Sequence, residues 1–354
     1  MPTETTPEEP PRRPRLTPPI ANTRRAVRAL LERTPAFAEL LKPLALVALS
    51  GGPDSLALAA ATAFEAPRAG WRAGAVIVDH GLQARSSDIA AQAAAQARAL
   101  GLEPVEIVRV HVDLTDGSGP EASARAARHR ALDAAATRHG ATLTLFGHTL
   151  DDQAETVLLG LARGSGAASL SGMAPLAGRV ARPFLGIRRA ETVQACLDAG
   201  LTAWADPHNT DSQYTRVRVR TRVLPVLEAE LGPGIAEALA RTAEQLREDE
   251  AAFADQIDEW IEDICEPAEA GIKVSVGALA ANPAALRQRV IRHVVLSEFG
   301  VSLSRAQTLD VARLVTDWRG QGPIFLPTGA TARRESGWLI VQAGSPAHSA
   351  PETS

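Results

Sequence analysis

Residues 44–55, LALVALSGGPDS, decide the fold of this chain. Leu44 to Leu49 is a short apolar run between Pro43 and a glycine pair, which predicts a fully buried strand of a parallel sheet. The turn SGGP follows, and an alanine- and leucine-rich helix begins at Asp54-Ser55. Because such a turn directs free backbone N–H groups and the positive end of a helix at one point, it predicts a phosphate-binding site.

Asp54 adds a negative charge at that point. A carboxylate repels bare phosphate, so we expect Asp54 to bind a Mg²⁺ ion carried by the phosphates. The simpler alternative is that Asp54 only caps the helix. The motif is not the lysine-containing P-loop, because the only lysines of the chain, Lys42 and Lys273, do not adjoin this turn.

SGGPDS resembles the SGGxDS signature of the PP-loop ATP pyrophosphatases, which cleave ATP to AMP and pyrophosphate. The resemblance implies that the turn holds the ATP phosphates through Ser50, Gly51, Gly52, Pro53, Asp54 and Ser55.

The length and composition of the chain limit its possible fold and class. At 354 residues and 37.3 kDa, the chain has room for a large α/β domain and a smaller one. Residues 1–21 are polar and rich in proline, so we expect a disordered tail rather than a secretory signal. No apolar run reaches the length of a membrane span. The two cysteines, Cys196 and Cys265, have no metal-binding spacing, which favours a reduced cytoplasmic protein.

The charge is unevenly distributed. The net charge is −4, but residues 228–269 carry fourteen Asp and Glu against two Arg, a local net of −12. The remainder is therefore net positive, almost entirely from arginine. A basic body joined to an acidic helical segment is compatible with an RNA substrate.

Strand and helix patterns alternate after the first strand, which predicts a Rossmann-like α/β fold with a parallel sheet. The fingerprint G-x-G-x-x-G is missing, and this argues against a dinucleotide. Asp79 and His80 end the second strand, where open parallel sheets bind ligands. We predict a catalytic domain over residues 22–227, an acidic helical linker over 228–270, a small α+β domain over 271–342 and a loose tail over 343–354.

A second cluster follows the fourth predicted strand, within GHTLDDQAET at 147–156. His148, Asp151, Asp152 and Glu155 lie within eight residues, where a new helix begins. Acidic residues there can simply complement the helix dipole. The density of the cluster favours a metal and nucleotide role, with Asp151 sharing the metal with Asp54.

A run of arginines lies at 216–222, RVRVRTR. The alternation predicts a half-buried strand, although the arginines can equally begin a helix. So many cations beside the catalytic edge favour contact with the phosphates of a polynucleotide.

The small domain has no catalytic pattern, so we expect a docking role. Residues 283–299 and 304–316 are predicted helices. Residues 322–325 and 338–341 are predicted to be paired strands around 332–334.

Eight motifs occur in order and together resemble the tRNA(Ile)-lysidine synthetase family, strongly over about residues 40–230 and more weakly over about 275–342. They are SGGPDS (50–55), VDHGL (78–82), EASARAARHRAL (121–132), GHTLDDQAET (147–156), LARGSG (161–166), RPFL (182–185), DPHNTD (206–211) and RVRVR (216–220).

The resemblance implies an ATP-dependent modification of an isoleucine tRNA with a CAU anticodon. ATP adenylates the O2 oxygen of the wobble cytidine and releases pyrophosphate. The ε-amine of free L-lysine then displaces AMP from C2. The product, lysidine, pairs with A instead of G. The implied cofactors are ATP and Mg²⁺, and the implied partners are the tRNA and lysine.

The resemblance also assigns roles to residues. Asp79 and His80 would border the nucleotide, and His148, Asp151, Asp152 and Glu155 would surround metal, cytidine and lysine. The resemblance further implies that a set of polar residues contacts lysine, cytidine or the anticodon loop: Glu121, Arg125, Arg128, Arg163, Asp206, Arg216, Arg218 and Arg220. It also implies a catalytic role for Arg125.

The chain departs from the family pattern at three positions. It has His129, His208 and Val217 where tyrosine, serine and asparagine are usual. Valine offers no hydrogen bond, which bears on the RNA contact expected there. Longer members carry a third domain, for which we expect no room in this chain.

Three other functions compete with this one. A PP-loop tRNA thiolase would need cysteines near the site, and Cys196 and Cys265 are isolated. A glutamine-dependent synthetase often has an N-terminal cysteine, whereas this chain starts with Met1-Pro2. An ATP-binding regulator with a degenerate site is disfavoured by the intact acidic residues of both motifs.

Overall fold

The computed structural model describes residues 16–34, 42–81, 85–110, 120–164 and 166–343. The chain divides into two compact units, Met1–Arg247 and Glu248–Ser354.

The first unit is built on a six-stranded sheet. Its strands are β1 (Leu44–Ala48), β2 (Arg72–Asp79), β3 (Val105–Arg109), β4 (Leu143–Leu145), β5 (Leu176–Ala177) and β6 (Val180–Ala181). The order across the sheet is β3-β2-β1-β4-β6-β5, and all pairings except β5 with β6 are parallel. The predicted Rossmann-like α/β fold is confirmed.

One edge of the sheet corrects the expectation of a wholly parallel arrangement. β5 and β6 form an antiparallel hairpin, and only two residues, Gly178 and Arg179, connect them. Parallel strands need a much longer crossover, so this short turn permits only antiparallel pairing. The RPFL motif at 182–185 begins directly after β6, which ends at Ala181.

Helices pack against both faces of this sheet. Alternate residues of β1 face opposite sides, so its two sets of side chains meet different helices. Ala45 and Val47 pack in a core with residues of the first three helices, whereas Leu44 and Leu46 pack against the fourth. In chain order, the helices of the first unit as far as residue 198 are α1 (Pro18–Glu32), α2 (Pro53–Glu65), α3 (Ser86–Ala99), α4 (Pro120–Arg138), α5 (Leu150–Ala162), α6 (Ala167–Leu170) and α7 (Arg189–Asp198).

Helix α1 begins four residues before the predicted domain boundary at residue 22. Proline is favoured at the first helical position because it has no N–H to leave unsatisfied there, and Pro18 occupies that position. Ile20 is 5% exposed, so burial of its side chain stabilises the packing of this stretch against the rest of the first unit. Of the predicted disordered tail, residues 1–15 lie outside the described residues.

The arginine run at 216–222 is helical. It lies in α8 (Thr215–Arg218) and a π-helical turn over Val219–Val223, and α9 (Leu224–Leu231) follows directly. Arg216 and Arg220 lie four residues apart, and both reach Glu155 on α5. In a helix, residues at this spacing are neighbours about 6 Å apart along the axis, whereas in a strand they lie about 13 Å apart. The single buried carboxylate of Glu155 can therefore meet both arginines only in the helical alternative.

The second unit contains an antiparallel sheet with the order β7-β8-β11-β10-β9. Its strands are β7 (Cys265–Ala268), β8 (Gly271–Ser275), β9 (Ile324–Phe325), β10 (Thr331–Glu335) and β11 (Trp338–Gln342). The strands predicted at 322–325 and 338–341 do not pair with each other, because β10 lies between β9 and β11. The helices packed with this sheet are α11 (Val276–Ala281), α12 (Ala284–Phe299) and α13 (Arg305–Thr316).

The predicted linker, residues 228–270, contains the whole of one long helix, α10 (Ile235–Ile264). Ala236 and Leu239 pack in a cluster with α5 and α9, whereas Ile257 and Ile261 belong to the core of the second unit. The linker residues are thus shared between two hydrophobic cores. None of the helices within the described residues is both long and apolar enough to cross a membrane.

Candidate active site

The ATP-loop motif forms a tight turn between β1 and α2. Gly51 has φ +84°, a conformation that glycine adopts without strain. The backbone N–H of Ser50 donates to the Ser55 hydroxyl (3.2 Å), and that hydroxyl donates to the Gly52 carbonyl (3.0 Å). Trp204 donates its backbone N–H to the carbonyl of Gly51 (2.9 Å). The loop is therefore fixed from inside and from the segment that follows α7.

A cleft of about 730 Å³ opens beside this loop, at the carboxyl ends of β1, β2 and β4. This is where open α/β sheets bind their ligands. The cleft is lined by many of the site residues that were predicted from the sequence: Ser50, Gly52, Pro53, Asp54, Ser55, Asp79, His80, Arg125, Arg128, His148, Asp152, Asp206, Arg216 and Arg220.

Other predicted residues do not line it. Gly51 shapes the turn with its backbone, and Arg163 is exposed at the end of α5. Arg218 donates to the carbonyls of Ser212 and Gln213. Glu121 lies in the first turn of α4, and its side chain is outside the described part of the chain.

Asp54 is oriented by α7. One carboxylate oxygen accepts a hydrogen bond from the Thr192 hydroxyl, and the other lies 3.6 Å from Nε of Arg189. Burial raises the pKa of Asp54, although the Thr192 hydrogen bond and the charge of Arg189 oppose that shift. Its side chain is 25% exposed, so the carboxylate still faces the cleft.

Asp152 is held by its own helix and by two arginines. It forms a capping box with Thr149, accepting from the Thr149 N–H (2.8 Å) and hydroxyl (2.9 Å). Its other oxygen lies 2.6 Å from Arg189 and 3.4 Å from Arg220. Burial opposes ionisation, but Arg189 and the Thr149 hydrogen bonds outweigh it, so the pKa of Asp152 lies below its ordinary value.

Glu155 is completely buried, with 0% exposure. Its carboxylate lies 2.7 Å from Nε of Arg220, 3.3 Å from Arg189 and 3.5 Å from Arg216. Three guanidinium groups thus compensate one buried carboxylate. Glu155 organises arginines and is not open to the cleft as an acceptor for substrate.

Asp151 has a different setting from its neighbour. Its Oδ2 accepts the backbone N–H of Arg189 (2.7 Å), and its Oδ1 lies 3.3 Å from Arg188. It lines a separate cavity of about 150 Å³ together with Glu155 and Glu228. The side chain therefore anchors the start of α7, and of the two adjacent aspartates only Asp152 lines the cleft with Asp54.

The opposite wall of the cleft is cationic. Arg125 and Arg128 project from α4, and no described carboxylate lies within ion-pair distance of either. The Nε of Arg128 and the Nδ1 atoms of His80 and His148 are buried without a hydrogen-bond partner among the described residues. Burial and the nearby charge of Arg125 lower the pKa of Arg128. Unpaired buried donors indicate a place where a ligand supplies the acceptors.

His148 is neutral at physiological pH. Burial, reinforced by the arginines around it and opposed by Asp152, lowers its pKa to about 4. Its ring stacks on Phe146 at 5.7 Å, and Phe146 stacks on His129 at the same distance. His129 thus keeps an aromatic ring where tyrosine is usual in the resembled family. Val217, at the usual asparagine position, is buried and packs instead.

Comparisons with known proteins match both parts of the chain. A family model described as a PP-loop domain matches residues 24–227, and one described as a TilS substrate binding domain matches residues 275–340. The tRNA(Ile)-lysidine synthase of Leifsonia xyli is 62% identical over 297 residues, which cover 84% of this chain and 89% of that protein. The tRNA(Ile)-lysidine synthase of Streptomyces coelicolor is 51% identical over 326 residues, covering 89% and 90%.

The chain belongs to the tRNA(Ile)-lysidine synthase family. The resemblance predicted from the motifs is therefore confirmed, and so is the use of ATP, which the PP-loop domain implies. Among solved structures, the U34-tRNA thiolase NcsA from Methanococcus maripaludis has a TM-score of 0.52 at 22% identity, covering 65% of this chain and 80% of that one. That likeness shows a shared fold.

Cysteine chemistry of the thiolase kind has no support in this synthase-family chain. Burial raises the pKa of both Cys196 and Cys265 to about 11, so neither thiol ionises readily at neutral pH. Cys196 lies in the first unit and Cys265 in the second, and neither lines the cleft.

The predicted Mg²⁺ fits the cleft only as an ion carried by phosphates. Within the described residues no three His, Cys, Asp or Glu side chains are grouped to hold a metal by themselves. Mg²⁺ is commonly bound by one or two carboxylates plus substrate phosphates, and Asp54 at the ATP loop suits that role. Asp151, the second predicted metal ligand, is engaged by α7 instead.

Sequence reasoning missed Arg189, Thr192 and Gln153. Gln153 binds both the N–H and the carbonyl of Met173 (2.7 and 2.9 Å), so this residue of the motif holds a loop. A usable signal existed for Arg189. An arginine at a helix N-terminus opposes the helix dipole, so a tertiary acidic partner is to be expected.

Proposed function

We propose that the protein ligates L-lysine to C2 of the wobble cytidine in the CAU anticodon of tRNA(Ile), using ATP and giving AMP and pyrophosphate. Residues 22–227 act as the catalytic domain and residues 271–342 bind tRNA, in the cytoplasm. Family membership supports the reaction, and the matched ranges 24–227 and 275–340 support the division. The observation that carries the proposal is the cleft, which joins the ATP loop to the GHTLDDQAET motif.

The ATP end of the cleft is the turn over residues 50–55. Its backbone N–H groups and the N-terminus of α2 suit the β- and γ-phosphates. A Mg²⁺ held by Asp54 would neutralise phosphate charge during the cleavage. Asp79 and His80 lie at the end of β2, on the same cleft.

In the first step, the cytidine O2 attacks the α-phosphorus of ATP. The O2–P bond forms, the bond to the β-phosphate oxygen breaks, and pyrophosphate leaves. In the second step, the lysine ε-amine attacks C2, the C2–O2 bond breaks, and AMP leaves. The nitrogen loses one proton in this step.

His148 is our candidate for accepting that proton. It lines the cleft, its pKa of about 4 keeps it neutral at pH 7, and its Nδ1 has no partner among the described residues. The acidic residues of the same motif, Asp152 and Glu155, are engaged by arginines instead. The lysine carboxylate is an anion of the kind that the unpaired Arg125 and Arg128 suit.

The direct test is nucleoside analysis of an unmodified tRNA(Ile) transcript after incubation with the protein, Mg²⁺, ATP and lysine. We expect lysidine in place of one cytidine, with one AMP formed per lysidine. The same transcript with its wobble cytidine replaced by uridine is the matched control. Absence of lysidine with an active, folded protein would overturn the proposal.

Pyrophosphate exchange separates this reaction from activation of the amino acid. An aminoacyl-tRNA synthetase adenylates the carboxylate of lysine, so ATP and lysine suffice for exchange. Here the activated oxygen belongs to cytidine, so exchange should require tRNA and proceed without lysine. Robust exchange with lysine and no RNA would show that the carboxylate is activated instead.

A further inference from the structure

Arg189, the first residue of α7, touches both functional motifs at once. Its guanidinium lies 2.6 Å from Asp152, 3.3 Å from Glu155 and 3.6 Å from Asp54. Its backbone N–H donates to Asp151 (2.7 Å). The adjacent aspartates of the GHTLDDQAET motif therefore bind the same residue, one through its main chain and the other through its side chain.

We propose that Arg189 is a positioning residue that couples the ATP loop to the GHTLDDQAET motif, so that both half-reactions depend on one ionic hub. The hub consists of Arg189, Asp54, Asp152 and Glu155. The inference rests on the proposed two-step reaction.

Among the described residues, two from α7 orient the carboxylate of Asp54. Thr192, one turn after Arg189, donates to one oxygen of Asp54, and Arg189 faces the other. Thr192 has 0% exposure, so its hydroxyl is sheltered from water. A shift of the α7 N-terminus therefore moves Asp54 together with Asp152, although these two residues come from different motifs.

Charge and geometry make separate contributions to the hub. Asp54, Asp152 and Glu155 carry three negative charges, and Arg189, Arg216 and Arg220 balance them. Removing the charge of Arg189 leaves an uncompensated carboxylate that repels ATP phosphates. Lysine keeps the charge, but a single ammonium cannot reproduce the planar fork that reaches three carboxylates.

The test therefore compares Arg189→Lys with Arg189→Met. The dissociation constant for ATP is measured without tRNA. The first step is followed as pyrophosphate release with tRNA but without lysine, and the second as lysidine formation after lysine is added. For Arg189→Lys we expect ATP affinity within about threefold of wild type and both steps slowed by about tenfold or more. For Arg189→Met we expect ATP affinity to fall by about tenfold as well.

Thr192→Val is the second variant, because it removes one hydrogen bond to Asp54 without changing side-chain volume much. We expect it to slow the first step by about fivefold and to leave the second step unchanged. Arg138→Met is the matched control. Arg138 pairs with Glu106 outside the cleft, so its loss should leave both rates and the ATP affinity within about twofold.

The outcomes separate coupling from a structural role. A purely structural role would lower the active fraction or the melting temperature while leaving the ATP dissociation constant of the folded fraction unchanged. That result for Arg189→Met, or wild-type rates of both steps in Arg189→Lys, would overturn the hub. A wild-type protein that forms no lysidine would instead overturn the proposed function.

Discussion

The two walls of the cleft treat charge in opposite ways. On the paired wall, Asp54 and Asp152, together with the buried Glu155, are matched by arginines of α7, α8 and the π-helical turn. On the unpaired wall, Arg125 and Arg128 of α4 have no described carboxylate within ion-pair distance. The paired wall holds its own groups in place, whereas the unpaired wall leaves positive charge for a ligand to neutralise.

The largest effect on stability is expected at Glu155, which the arginines of the paired wall surround. Glu155→Ala leaves three guanidinium groups around an empty, buried position, so the free energy of unfolding should fall by about 3–5 kcal/mol. Urea denaturation measures this. Glu106→Ala, which breaks partly exposed contacts with Arg138 and His139, should cost about 1 kcal/mol or less. Equal losses in the two variants would remove the distinction between this network and a surface ion pair.

The next effect concerns His148, which lines the cleft, and appears as a pH dependence. Its pKa is about 4 in the folded protein and 6.5 ordinarily, so between these values the unfolded chain binds more protons. Stability from the neutral imidazole is full above pH 6.5 and is lost as the pH falls towards 4, by about 3 kcal/mol in all.

His148→Gln removes that group. Unfolding free energies of both proteins at pH 7 and pH 5 should show a smaller loss in the variant. An identical loss would mean that His148 does not have a depressed pKa in the folded state.

On the unpaired wall, substitution should stabilise the fold. Arg128→Met replaces a half-buried cation that has no carboxylate partner among the described residues with an apolar side chain of similar length, so we expect a gain of about 1 kcal/mol together with weaker substrate binding. Arg220→Met on the paired wall should have the opposite sign, because it strips a partner from Glu155. Thermal unfolding of both variants checks the signs, and a destabilised Arg128→Met would place Arg128 among the paired residues.

The smallest effect is a change in salt dependence. The arginines at 216, 218 and 220 were predicted to contact tRNA phosphates, but Arg216 and Arg220 bind Glu155 and Arg218 binds carbonyls. We therefore expect Arg216→Ala to leave the log–log salt slope of tRNA binding unchanged. Arg125→Ala should reduce the slope by about 0.7 if its exposed side chain meets one phosphate. The reverse pattern would restore the sequence-based prediction.

Local pattern was enough for the first strand of the sheet and the ATP loop. The apolar run at 44–49 and the turn SGGP specify strand, turn and helix from neighbouring residues alone, and the structure has them there. The arginine run is different, because Arg216 and Arg220 become helical through Glu155, more than sixty residues earlier in the chain. Tertiary ion pairs of this kind leave little trace in a short window of sequence.

The same limit applies to the acidic motif. Asp151 and Asp152 are adjacent and chemically identical, and helix geometry turns one towards α7 and the other towards the cleft. The sequence therefore indicates an acidic site but does not tell which aspartate faces the ligand. Arg189 was missed because its partners come from two motifs that meet only in the folded chain.

Gly147, the first residue of the GHTLDDQAET motif, sets a limit on protein engineering. A Cβ atom on Gly147 would lie 3.0 Å from the carbonyl oxygen of Asp54 and 3.2 Å from the N–H nitrogen of Ser55. The end of β4 and the ATP loop thus touch backbone to backbone. In a chimera between this chain and another PP-loop protein, the two motifs behave as one module, and recombination has to exchange residues 50–55 and 147–156 together.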